Sequence, residues 1–234
     1  MKQDLSEYIF NANNDPFYIF SPLTQEQLKA LKESSIKRYV KKGKTIFRES
    51  QSPKGLIYLV KGSAKLYKYG RGEREQIVRL VKPHTFVGYK ALFAEKAHTT
   101  TAETLENSEI IIYKKEELFS VIDNNPKFSR LIIKILANEL AFNYNRIINL
   151  TQKHLRGRLA ETLLFVKDIF GLESDGKTIK AKLTRENLAH FSNMTTSNAI
   201  RTLRKFEEEN LVKTEGKKII LQDEIQLSNI SNLA

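Results

Sequence analysis

At Pro126 this 234-residue chain changes its hydrophobic rhythm, and the change confines it to a fold whose strands and helices follow one another. Residues 36 to 120 carry short β-branched and aromatic runs: KTIF, GLIYLV, SAKLYKY, EQIVRLV and SEIIIY. Side chains of this kind suit the pleated surface of a strand. Gly43, Gly62, Gly70, Gly72 and Gly88 fall between the runs, where turns belong. The GRG at 70–72 is read as a hairpin tip, because no strand-to-helix context follows it. An antiparallel sandwich or roll is expected. From Pro126 onward Phe128, Leu131, Ile132, Ile135, Leu136 and Leu140 keep helical spacing, continued by Phe142, Ile147, Ile148 and Leu150. This helix is apolar on more than one side, so one side is expected against the β domain and another against a second subunit. A further helix starts near Lys153 and runs through Leu155, Leu159, Leu163, Leu164 and Val166, with a loop at 171–177. The expected class is α+β, with a β-roll domain at 1–125, a dimerisation helix and hinge at 126–152, and a C-terminal domain at 153–234.

The function is most legible in residues 183–221, LTRENLAHFSNMTTSNAIRTLRKFEEENLVKTEGKKIIL. Thr184 is placed as an N-cap, its hydroxyl accepting a free backbone N–H. Leu188, Ala189 and Phe191 give the first helix a buried face, and Ser192-Asn193 makes a turn. Thr195 or Thr196 caps a second helix whose inner face is expected at Ala199, Ile200, Leu203 and Phe206. Its other side carries Thr196, Ser197, Asn198, Arg201, Thr202 and Lys205. A helix apolar on one side and bearing hydroxyl, amide and arginine groups on the other suits the DNA major groove, N-terminal half against base edges. The candidate DNA-binding residues are Arg185, Thr195, Thr196, Ser197, Asn198, Arg201, Lys205 and Lys217. Arg201 is the candidate for a bidentate contact to guanine; Arg185, Lys205, Lys213, Lys217 and Lys218 are phosphate candidates. A hairpin wing is expected from 211 to 221 with its turn at Glu215-Gly216, and FEEEN at 206–210 as a solvated face.

Charge agrees without locating the site. The net charge is +12, which favours polyanionic partners. From Thr151 onward 14 Lys+Arg stand against 11 Asp+Glu, so only +3 of the excess lies in the DNA-binding part. There are no cysteines, which removes disulfides, thiolate zinc sites and cysteine-ligated clusters. His84 and His98 lack metal-ligand spacing, and no nucleophile–base pair or paired carboxylates stand out, so no cofactor, metal or catalysis is expected. Acids precede any apolar run at the N-terminus and no apolar run reaches membrane length, so a cytoplasmic protein is expected.

The order of KKGKTIFRES (41–50), IYLVKGSAKLY (57–67), KPHTFVG (82–88), LENSEIIIYKKEEL (105–118), NNP (124–126) and the 183–221 segment resembles the CRP/FNR family of transcription regulators over most of the chain. The resemblance implies a cyclic-nucleotide-binding-type β-roll, a long dimerisation helix and a winged helix-turn-helix. It also implies a homodimer on a near-palindromic double-stranded DNA site, with RNA polymerase as a partner. Cyclic-nucleotide-responsive members carry a glutamate just after the FG step for the ribose, and an arginine then a small hydroxyl residue some ten positions later for the phosphate. Here Gly88 is kept, but Tyr89 takes the glutamate position and Thr99 the arginine position, with Thr100 next. An unpaired buried phosphate is very costly, so cAMP is not the expected effector. A different small-molecule effector, a vestigial pocket and activity without ligand all remain open, with Tyr67, Gly88, Tyr89, Lys90, Thr99 and Thr100 as the candidate pocket residues. In the reading helix the family often has arginine, glutamate and, four residues later, arginine; here those places hold Thr196, Ser197 and Arg201, so a different half-site is expected. The alternative is a small-molecule-binding module whose helix-turn-helix serves protein interaction.

Overall fold

The computed structural model describes residues 20–181 and 183–232; the N-terminal stretch of the expected first domain, 1–19, lies outside them. Helix α1 (Gln25–Glu33) opens with a capping box, in which Thr24 accepts from the Gln27 amide while the Gln27 side chain accepts from the Thr24 amide. Strands β1 (Ile36–Val40), β2 (Thr45–Phe47), β3 (Gly55–Lys61), β4 (Ala64–Tyr69), β5 (Glu75–Val81) and β6 (Thr85–Val87) follow. Short helix α2 (Tyr89–Phe93) precedes β7 (Thr101–Thr104), β8 (Ser108–Lys114) and α3 (Lys115–Asn124). Helix α4 (Pro126–Gln152) then runs for 27 residues without a break.

The chain divides into two compact units. The first holds 20–68 and 78–140. Strands β1, β8, β3 and β6 pair antiparallel in that order, and β2, β7, β4 and β5 make a second sheet with β7 antiparallel to β2 and β4. Strand β3 explains why GLIYLV reads as a continuous apolar run: both of its faces are covered. Successive side chains of a strand point to opposite faces. Accordingly Ile57 and Leu59 join Phe47, Leu66, Val81, Val87 and Ala102 in one core, while Leu56 and Tyr58 join another with α1, α2, α3 and Phe128, Leu131, Ile132 and Ile135 of α4. Gly62 turns β3 into β4 at φ +92°, and a Cβ there would stand 2.3 Å from Ser108 Oγ and 2.8 Å from the Asn107 carbonyl oxygen. Only glycine meets both demands.

The second unit holds 69–77 and 141–232: the end of α4, α5 (Leu155–Phe170), α6 (Arg185–Phe191), α7 (Thr196–Glu208), the β9 (Val212–Glu215) and β10 (Lys218–Leu221) hairpin, and α8 (Glu224–Asn232). Its core includes a stack of Phe142, Phe165 and Phe191, with centroid spacings of 5.5 and 5.4 Å. Lys153, between α4 and α5, is held by Glu161 at 2.9 Å, and Asn149 donates to the same carboxylate at 2.6 Å. The 171–177 loop is more ordered than its composition suggests. Leu172 bridges Ile179, and the Asp175 carboxylate accepts from the Lys177 and Thr178 amides and the Thr178 hydroxyl. Those bonds hold its pKa down to about 2. Among the described residues no helix is long and apolar enough to cross a membrane.

Gly62→Ala is expected to lower the stability of the first unit by about 2 kcal/mol or more, since it adds both left-handed strain and a clash. Thermal melting followed by circular dichroism checks this; an unchanged Tm would show that the β3–β4 turn relaxes freely.

Candidate DNA-binding surface and β-roll cavity

Helix α6 starts at Thr184, whose hydroxyl accepts from the Asn187 amide while the Asn187 side chain accepts from the Thr184 amide. Helix α7 starts at Thr195, which accepts from the Asn198 amide at 3.2 Å; of the two threonines considered, Thr195 is the cap. Asn193 takes the left-handed φ of +51° that lets the chain reverse between them. Its carbonyl accepts from Arg158 and its side-chain oxygen from Arg74 at 2.7 Å, while Gln76 donates to the His190 carbonyl at 2.7 Å. Arg146 of α4 is half-buried against the end of α6, 3.7 Å from the Phe191 ring centroid and donating to the Phe191 carbonyl at 2.6 Å. Burial pulls its pKa down to about 10, against an upward pull from Glu161, so it stays charged at neutral pH. The helix-turn-helix is thus clamped from behind, which leaves the front of α7 unencumbered.

That front is polar and basic. Ala199, Leu203 and Phe206 are buried at i, i+4 and i+7. Ile200, expected on the inner face, is 37% exposed, because it lies about 100° round the helix from Ala199. Thr195, Ser197, Arg201, Arg204 and Lys205 are exposed, with Thr196 and Asn198 half-buried beside them. Arg204 escaped the sequence reading although its i+3 spacing from Arg201 places it on the same face. Arg185 is half-buried and donates to the Gly216 carbonyl at 3.1 Å, which ties α6 to the wing. The wing turn falls at Gly216-Lys217, since Glu215 pairs with Lys218, one residue beyond the expected Glu215-Gly216. Lys217 is exposed at its tip. The FEEEN stretch is more than a solvated face. Phe206 is core, Glu207 accepts from the Thr214 amide and hydroxyl at 2.8 and 2.6 Å, and Glu209 receives both Nη groups of Arg156.

In the first unit a cavity of about 20 Å³ is lined by Arg79, Gly88, Tyr89, Lys90, Thr99 and Thr100, with Phe47 and His98 among its walls. That is room for about one water molecule. Five of the six expected pocket residues therefore meet; Tyr67 does not line the cavity, its ring lying under the Lys65 ammonium at 4.7 Å. Gly88 is required here, because at φ +77° a Cβ would sit 3.0 Å from the His98 ring. His98 stacks on Phe47 at 3.8 Å and burial lowers its pKa, so it is a neutral packing group. His84 turns the chain at φ +63° and hydrogen-bonds the Tyr58 hydroxyl at 3.1 Å. Tyr89, expected on a loop, is the buried first residue of α2, its hydroxyl 3.4 Å from Arg79 Nη1. Arg79 and Lys90 both engage the buried Glu139 carboxylate of α4, Lys90 at 3.2 Å.

A cyclic nucleotide-binding domain model matches residues 37–125, and a Crp-like helix-turn-helix domain model matches residues 157–230. The CRP-like cAMP-activated global transcriptional regulator of Mycobacterium tuberculosis is 23% identical over 188 residues, covering 80% of this chain and 84% of that one. The anaerobic regulatory protein of Bacillus subtilis is 27% identical over 205 residues, 86% of each chain. Among solved structures, FixK2 from Bradyrhizobium japonicum superposes with a TM-score of 0.77 at 19% identity, covering 86% of this chain and 98% of that one.

Burial first, then the charge of Arg79, bring the Lys90 ammonium down from the usual 10.5 to about 8. Between those values the unfolded chain binds the proton that the folded one has lost, so this group makes stability rise with pH across that window; below 8 the cost of the charge is present in full. NMR titration is expected to place the Lys90 midpoint near 8, and Arg79→Gln to move it upward by removing one of the two causes. A midpoint that stays put in the variant would remove Arg79 as a cause.

Proposed function

The chain belongs to the CRP/FNR family of transcription regulators, and from that premise we propose that it acts as a homodimer reading a near-palindromic DNA site without cAMP. The family's regulators are not enzymes. The observation that carries the reading is the two-sidedness of α7: a sealed apolar stripe behind, and Ser197, Arg201, Arg204 and Lys205 exposed in front. Thr196, Ser197, Asn198 and Arg201, on the N-terminal half, face base edges; Arg201 supplies a bidentate donor for guanine O6 and N7. Lys205 and Lys217 contact phosphates, and Arg204 joins them. Thr195 serves as cap, and Arg185 sets the angle of the wing, so both act by positioning.

Dimerisation is supported by α4. Ile133, Leu140, Tyr144 and Ile147 are all more than half exposed and, at about 100° per residue, fall within a stripe roughly 60° wide. The buried Phe128, Leu131, Ile135 and Phe142 lie on the opposite side. A solvated stripe of this length on one helix suits the same stripe of a second copy, and the two-fold axis sets half-sites about one helical turn apart. The lack of a cAMP response is supported by Tyr89 and Thr99 and by a cavity far below the roughly 300–1,000 Å³ of small-molecule pockets. Operation in the cytoplasm, where DNA and polymerase are found, follows from this reading.

Selection of the ligand-free protein against random duplex DNA at moderate salt is expected to return a palindromic motif. Arg201→Ala should then cost about 1–3 kcal/mol at one position of each half-site and leave the other positions unchanged. Affinity should fall steeply with salt. Binding that ignores salt would favour the protein-interaction alternative. Leu140→Glu combined with Ile147→Glu is expected to give a monomer in sedimentation velocity and to weaken operator binding by about 100-fold or more, as the second half-site contact is lost. A variant that stays dimeric would place the interface elsewhere.

A further inference from the structure

The cations of the β-roll cavity are built around a carboxylate that the chain itself supplies. Arg79 projects from β5 in the same register as Ile77 and Val81, both fully buried, so its guanidinium is committed to the interior. Lys90 comes from the first turn of α2, just after Gly88. Neither occupies the position where the family's cyclic-nucleotide-responsive members carry their phosphate arginine; that position is Thr99. Between them sits Glu139, 8% exposed, on the buried side of α4 between Ile135 and Phe142. Both of its oxygens are used, one by Arg79 and the other by Lys90 at 3.2 Å.

We propose that Arg79 and Lys90, with the Tyr89 hydroxyl beside them, form a seat for a small carboxylate, and that Glu139 fills this seat as a tethered ligand, so that the two cations are satisfied without a soluble effector. The inference rests on reading this cavity as the effector pocket, and it selects ligand-independent activity among the possibilities left open by the sequence. Three observations converge on it. The cavity beside Arg79 and Lys90 holds about one water, so it has no room for an organic anion, and the carboxylate that both cations engage is that of Glu139. Two cations against one carboxylate leave one positive charge over, so removing the carboxylate leaves two like charges close together and partly desolvated, an arrangement that recruits an anion. Thr99 and Thr100 line the same cavity with hydroxyl groups suited to an oxyanion. Lys90, with its pKa near 8, remains mostly protonated at neutral pH and keeps the seat cationic. Any external carboxylate binds only by displacing Glu139, which frees α4 from β5 and α2.

The test is chemical rescue of full-length Glu139→Ala. Truncation opens the seat, and acetate is small enough to enter it. Relative to the same concentration of sodium chloride, acetate is expected to raise the Tm of Glu139→Ala in a saturable manner and to leave the wild type unmoved. Operator affinity, down by about tenfold in the variant, should return with acetate. Adding Arg79→Gln to Glu139→Ala should abolish the rescue. Equal shifts in variant and wild type, or none that distinguishes acetate from chloride, would overturn the proposal. Should Glu139→Ala fail to fold, Glu139→Gln keeps the volume and removes the charge. Its loss in Tm should then be largely recovered by Arg79→Met, and simple additivity of the two losses would overturn the proposal. A wild type that binds no DNA, with thermal rescue intact, would count against the proposed regulator and leave the seat standing; failed rescue with normal DNA binding would do the reverse.

Discussion

A helix with apolar residues on two opposite stripes cannot bury both against one small domain, and α4 is such a helix. Phe128, Leu131, Ile135 and Phe142 are inside, whereas Ile133, Leu140, Tyr144 and Ile147 face solvent in the single chain. Burying an aliphatic side chain of this size contributes about 1.5–3 kcal/mol, so an unpaired stripe is a standing bias toward association. The same helix carries Glu139 to Arg79 and Lys90 and Arg146 to the end of α6. Its rotation about its own axis is therefore specified by charge as well as by apolar packing. A helix turned by one residue would expose Phe142 and pull both charged groups from their partners.

Three half-buried arginines are each given polar partners. Arg146 has the Phe191 carbonyl and ring, Arg158 the Leu150 and Asn193 carbonyls, and Arg79 the Glu139 carboxylate. Removing one partner of such a pair costs more than the pair contributes, because an uncompensated charge is left in a poorly solvated place. These arginines therefore specify one arrangement more than they add stability. They do so at the places where the regulator needs definition: the turn before the reading helix, the α4–α5 junction and the pocket.

The elements decided by local chemistry were legible in the sequence. The Thr184 and Thr195 caps depend on a donor three residues away, whereas the β-to-α change expected at Pro126 comes earlier, at Lys115, because α3 (Lys115–Asn124) is a short helix with few apolar repeats to announce it. Ile200 was misassigned because it adjoins Ala199 in sequence, whereas the buried stripe is set by the i, i+4, i+7 positions Ala199, Leu203 and Phe206. The wing turn slipped by one residue because Glu215-Gly216 and Gly216-Lys217 are both acceptable as sequence, and only pairing with β10 decides between them. Glu207 was read as solvated because its partner, Thr214, lies on another element. The Arg79–Glu139 pair joins residues sixty positions apart, beyond any periodicity argument, yet each half left a trace. Arg79 alternates in phase with Ile77 and Val81, and Glu139 stands four residues after Ile135 and three before Phe142, on a face otherwise apolar. A charged residue in an apolar register is a sign of a partner brought from elsewhere.

Specificity in the reading helix follows from the same reasoning about partners. An acidic residue at Ser197 would accept from cytosine N4; a serine hydroxyl both donates and accepts, and so discriminates less. Arg201 and Arg204 are separated by three residues and both exposed, so on the proposed function they would reach adjacent positions along the groove, or one base and one phosphate. Ile200, 37% exposed, flanks Arg204 on the side away from Arg201, about 100° round the helix from that residue, and the surface in the major groove complementary to an apolar group is a thymine methyl. If α7 reads DNA as proposed, a guanine opposite Arg201 and a thymine beside Ile200 are the half-site features expected. Replacing Ile200 by serine is expected to relax the thymine and leave the guanine, which selection against random duplex DNA reads directly. Loss of both preferences together would mean that Ile200 orients the helix in place of contacting a base.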